Sequence, residues 1–183
     1  MRTPPDLPEI IHGKRGMLEG IKACMKVECL VSVITLVYST IDAVSALTRP
    51  KHKENTESKV FINWVDQYLL PGSELSCSAN DLYGARCGVL HTYSPDSGMA
   101  RRGEAKPLVY RWETGPSADA LVELPEGAIE ICVEHLVKAL KQGIRQFLDK
   151  VENNPDVNKL VRHHLSSLLC YKPWPPLKMH AAA

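Results

Sequence analysis

This sequence has almost no excess charge of either sign: 22 Lys and Arg stand against 21 Asp and Glu, a net charge of +1. Such a balance sets up no broad field to steer nucleic acid or an anionic membrane, so any anion site must be local. The 6 cysteines, Cys24, Cys29, Cys77, Cys87, Cys132 and Cys170, form no CxxC pair and lack the density of a small disulfide scaffold. Lying mostly among apolar neighbours, they read as reduced, buried thiols. There is no phosphate loop, dinucleotide glycine fingerprint or GxSxG elbow, which leaves NTP-driven, redox and esterase chemistry without support. His163 and His164 are adjacent and point about 100° apart on a helix, with no Cys or acid at a ligand spacing beside them. They read as surface histidines, and neither a metal nor a cofactor is expected.

The opening residues are not expected to act as an export signal. The opening MRTPPDLPEIIHGKRG carries prolines and charges where a secretion signal needs an apolar run, so a cytoplasmic location is the expectation. The stretch from Cys29 to Leu47 approaches bilayer-spanning length. It contains Asp42 together with Ser32, Thr35, Ser39, Thr40 and Ser45, and an ionised carboxylate at membrane depth is costly. A buried core helix accounts for the same residues, and no membrane is expected as a partner. The 183 residues suit one domain, with a core over about 8–170 and a loose tail over 172–183 that includes PWPP.

Apolar spacing organises the rest. From about Pro8 to Leu47, Val27, Leu30, Val31, Ile34, Val37, Tyr38, Ile41 and Val44 fall on one helical stripe, ended by Arg49-Pro50 and the polar run KHKENTES. A second helix is predicted from Ser58 to about Leu70, where Pro71-Gly72 stops it. A third starts at a Ser76 or Ser78 cap with Asp81 in its first turn and runs to about His91, followed by the turn Ser94-Pro95-Asp96-Ser97-Gly98. LVYRW at 108–112 and Ala120 to Leu124 suggest a β-hairpin. Pro125 to about Val151 reads as a helix with its stripe on Ile129, Val133, Leu136, Leu140, Ile144 and Phe147, and with a Glu134–Lys138 surface pair. Asn154-Pro155-Asp156 caps a last helix. The predicted fold is mainly α, a bundle of about four to six helices with a small two-stranded β-hairpin insertion.

The third helix carries the residues best suited to chemistry. In LYGARCGVLH, Arg86 precedes His91 by five positions, about 140° of rotation, so they share a face only if the helix loosens near Leu90. Arginine offers a planar fork of donors for a phosphate, and histidine exchanges a proton near neutral pH. Arg86 has an obvious structural partner as well, Asp42 in the first helix. His91 in turn can serve as a C-terminal helix residue facing the negative end of the dipole. Cys87 and His91, four positions apart, make a Cys-His dyad geometrically possible, against the reading of Cys87 as a small apolar filler. Arg101, Arg102, Lys106 and Arg111 form a local basic cluster, readable as RNA-backbone contacts or as a solvated loop.

LYGARCGVLH, with its downstream turn and the YSTIDAV segment of the long first helix, resembles the Arg-x4–6-His signature of HEPN domains. The resemblance implies a helical bundle that pairs two-fold, with Arg86 and His91 of each copy meeting in a shared cleft; beside them, Asp42, Tyr83 and Cys87 are the candidate supporting or orienting residues. It further implies a metal-independent endoribonuclease: His91 as acid/base helps a ribose 2′-hydroxyl attack the adjacent phosphate, while Arg86 holds the developing charge. Such an RNase would act on RNA and spare DNA, and could answer to a protein partner of the toxin–antitoxin kind. Cys87 stands where active members carry Asn, Asp or His after the arginine. A non-catalytic helical interaction or regulatory module is therefore the alternative.

Overall fold

The computed structural model describes residues 6–53, 57–94, 97–113 and 126–165. It is mostly helical, with one small two-stranded sheet. The stretch read as one long helix is three: α1 (Leu7–His12), α2 (Met17–Lys26) and α3 (Leu30–Ala46). GKRG at 13–16 separates the first two. The second break is a Schellman cap built without glycine. Glu28 takes a left-handed φ of 55°, its N–H donates to the Met25 carbonyl, and the Cys29 N–H donates to the Cys24 carbonyl. This break reorients the stripe. Val27 and Val31, expected inside, are exposed, whereas Val33, Ile34, Val37, Tyr38, Ile41 and Val44 are buried. Cys29 at the break is exposed too, unlike buried Cys77 and Cys132.

The helix predicted from Ser58 is α4 (Ser58–Trp64), continued by the wider π turns of Val65–Leu69. These turns set Trp64 and Tyr68 both against Phe147, with ring centroids 6.1 and 5.5 Å away. Gly143 permits the approach, since a Cβ there would lie 2.9 Å from the Tyr68 carbonyl oxygen.

Helix α5 (Ala79–Thr92) starts as predicted at Ser78, whose hydroxyl accepts from the Asp81 N–H while the Asp81 carboxylate accepts from the Ser78 N–H, a reciprocal capping box. At its other end Tyr93 turns left-handed, φ 51°, and the chain folds back so closely that a Cβ on Gly88 would sit 2.1 Å from the Ser94 carbonyl oxygen. The short α6 (Gly98–Arg101) follows. Asp81 then ties this return to the start of α5, because its other oxygen accepts from the Lys106 N–H at 2.6 Å.

Strand β1 (Leu108–Arg111) does form, but its partner is β2 (Ile129–Cys132), and the pairing is parallel, with Arg111 opposite Cys132. The expected hairpin is thus replaced by a crossover pair; the predicted strand at 120–124 lies outside the described residues. Ile129 and Ile131, which also fit a helical stripe, go into the strand, and α7 (Val133–Asn153) begins only after it. Ile131 and Leu108 are buried together with Leu136, Leu140, Ile144 and Phe147 in one continuous core. The Glu134–Lys138 pair is not made: Lys138 holds Glu74 instead, and Glu134 faces the Glu113 N–H and the Cys132 thiol.

Asn154 caps α8 (Pro155–Leu165) through its side-chain oxygen, as expected. His164 is not a surface residue. It is buried, its Nε2 lies 2.9 Å from the Arg49 carbonyl, and burial lowers its pKa from the ordinary imidazole value. Among the described residues no helix is long and apolar enough to cross a membrane.

Candidate functional site

Arg86 points back across the bundle to α3. Its Nε and Nη2 both reach Asp42 Oδ2, at 2.8 and 2.6 Å. The two side chains retain about a quarter of their exposure, 24% and 26%, at the mouth of a cleft of about 230 Å³. Glu57, Phe61 and Tyr83 complete the lining. Phe61 and Tyr83 stack edge to face, centroids 5.4 Å apart, and form the apolar wall. Glu57 sits at the N-cap of α4, where Lys53 pairs with it at 2.6 Å. Each acid of the cleft therefore has its own cation.

Partial burial works against the Arg86 charge, and the Asp42 carboxylate outweighs it, so the guanidinium is held more firmly than usual. Burial raises the Tyr83 phenol, with the neighbouring Cys87 adding to it. Cys87 also lies near enough to Arg86 to favour its charge.

His91 lies elsewhere. Helix α5 stays regular through Thr92, so the five-residue step keeps its full rotation of about 140° from Arg86. The imidazole is exposed in the last turn, where it meets the negative end of the dipole, and it does not line the Asp42–Arg86 cleft. Sequence reasoning paired Arg86 with Asp42 correctly in space; it missed Glu57, hidden in a polar run, and Phe61 on the second helix.

The basic cluster is partly spent on neighbours. Arg102 pairs with Glu104 at 2.7 Å, Arg111 with Glu130, and the Lys106 backbone serves Asp81. Arg101 and the Lys106 side chain are exposed.

A neighbouring side of α5 faces a groove of about 220 Å³ that is nearly all apolar. Leu30, Val31 and Ile34 of α3, Ala85 and Val89 of α5, and Tyr110 of β1 shape it. Tyr38 anchors β1 here, its hydroxyl 2.5 Å from that of Tyr110. Val31 and Tyr93 stand on the rim at 57% and 67% exposure, and Val27, at the end of α2, is exposed as well. These three are the exposed large hydrophobics among the described residues. No apolar run or motif announced the groove, because its walls come from three separated segments.

No protein-family model, no curated protein sequence and no solved structure matches this chain.

Proposed function

We propose that this chain is a non-catalytic helical interaction module, HEPN-like in its order of helices, which pairs with a second copy of itself through the groove between α3, α5 and β1. The observation that carries the non-catalytic reading is the Asp42–Arg86 pair. A phosphate clamp needs a guanidinium whose charge is available, and here both reaching nitrogens are given to a carboxylate. An acid/base needs to face the same phosphodiester, and His91 is turned about 140° away on the same helix.

The pairing rests on self-complementarity. A two-fold interface uses one patch for both partners, so a projecting group and the hole that accepts it must lie in that one patch. Tyr93 projects beside an apolar groove large enough for a bulky side chain, and exposed apolar residues concentrated in one place mark association surfaces. Tyrosine is well suited to such an anchor, having a large apolar body and few rotatable bonds.

Two measurements test this. Incubation of the purified chain with RNA in EDTA is expected to give the same background cleavage for the wild type, Arg86→Ala and His91→Ala. Cleavage that both substitutions abolish in folded protein would return the chain to the endoribonuclease reading, with RNA as substrate. Sedimentation equilibrium is expected to show a dimer for the wild type and a monomer for Tyr93→Glu. An unaltered association state for that variant would exclude the groove as the interface.

A further inference from the structure

The sequence showed no metal-ligand set, yet the parallel strand pair builds one at its C-terminal end. Cys132 closes β2 and serves as the N-cap of α7, and His135 lies in the first turn of that helix. An N-cap and the third helical residue sit side by side, as in a capping box, so the Cys132-x2-His135 spacing brings thiol and imidazole together. Glu113 follows β1 by two residues. Because the strands run parallel with Arg111 opposite Cys132, both ends arrive at the same edge. One ligand atom each from Glu113, Cys132 and His135 lies within 4.8 Å of the other two.

We propose that Glu113, Cys132 and His135 bind a divalent transition metal, with zinc the best match to a thiolate, an imidazole and a carboxylate. Around a tetrahedral ion with bonds of about 2.0–2.3 Å, ligand atoms are separated by roughly 3.5 Å, so the set closes by ~1 Å. Glu113 is exposed and His135 half-buried, and both can make that rotation while Cys132 stays fixed and buried. A mixed sulfur, nitrogen and oxygen set disfavours the hard ions magnesium and calcium.

The surroundings are organised as a metal site requires. Glu74 Oε2 lies 3.4 Å from His135 Nε2, orienting the ring and leaving Nδ1 for the ion. Glu74 is itself held by Lys138. Glu134 Oε2 accepts from the Glu113 N–H at 3.1 Å, which fixes the end of β1, and lies 3.2 Å from Cys132 Sγ. On binding, the sulfur–metal bond forms as the S–H bond breaks, and the proton passes to Glu134 and then to solvent. Three protein ligands leave a fourth position for water or a further ligand.

The test uses the full chain with Zn²⁺, in competition with a chromophoric chelator, and with Co²⁺, followed by absorption. One equivalent is expected, with a thiolate-to-cobalt charge-transfer band that Cys132→Ser abolishes and Cys29→Ser and Cys87→Ser retain. Glu74→Gln should weaken affinity by about 10–100-fold, as loss of an orienting carboxylate does. Glu113→Gln and His135→Ala should weaken it further, and Glu113, being exposed, keeps the test valid if Cys132→Ser does not fold. Absence of saturable binding, a charge-transfer band that survives Cys132→Ser, or full affinity in both Glu113→Gln and His135→Ala would overturn the assignment.

Discussion

The two faces of α5 are built on opposite rules. Towards Asp42, every charge is met: Arg86 by Asp42, Glu57 by Lys53. Towards β1, Ala85 and Val89 floor a groove whose rim residues Val31 and Tyr93 remain in water. A half-buried ion pair resists removal of either partner, because the survivor keeps its desolvation cost. Exposed apolar area has no such partner to lose and gains by association. The polar face thus belongs to the fold and the apolar face to what the fold meets.

The largest expected effect comes from the device that positions both faces at once. Asp81→Ala removes the acceptor of the Ser78 and Lys106 N–H groups, and should cost about 3 kcal/mol in urea unfolding. Gly88→Ala pushes a methyl against the Ser94 carbonyl and should cost about 2 kcal/mol while shifting the rim of the groove more than the cleft. Chemical shifts of Tyr93 and Arg86 separate the two.

A pH titration divides the contributions further. The His164 pKa is depressed in the folded chain, so its stabilisation is complete above the ordinary value of 6.5 and is lost as pH falls below it. Burial opposes the Asp81 charge, yet its hydrogen bonds win and hold its pKa below the usual 3.8. Its stabilisation is present above that value and is lost as pH falls through the folded pKa. Melting temperature should therefore decline in two steps, the first absent in His164→Gln. A single step below pH 4 in the wild type would contradict the role of His164. The smallest effect on stability belongs to Tyr93→Glu, within about 0.5 kcal/mol for the isolated chain, since the side chain is exposed. Its effect on association should be complete.

Local chemistry was legible and long-range pairing was not. The Ser78 cap with Asp81, the Asn154 cap and the end of α5 are written in neighbouring residues, and they appear where the letters place them. The Asp42–Arg86 pair was legible because a carboxylate inside an apolar helix needs a cation. The break after Lys26 was not, since Glu28 fills a left-handed position that glycine ordinarily advertises. Ile129 fits both a helical step to Val133 and a strand alternation with Ile131; pairing with β1 decides between them. The Cys132-x2-His135 spacing was in plain view. Its third ligand, Glu113, depends on the parallel register, which no local pattern announces.

The central claim is that Arg86 serves the fold, and a double-mutant cycle on Asp42→Ala and Arg86→Ala by urea denaturation addresses it most directly. Each single substitution should destabilise the chain, with a coupling of about 1–2 kcal/mol between them. An Arg86→Ala chain as stable as the wild type, with no coupling to Asp42, would contradict the account and release the guanidinium for work on a ligand.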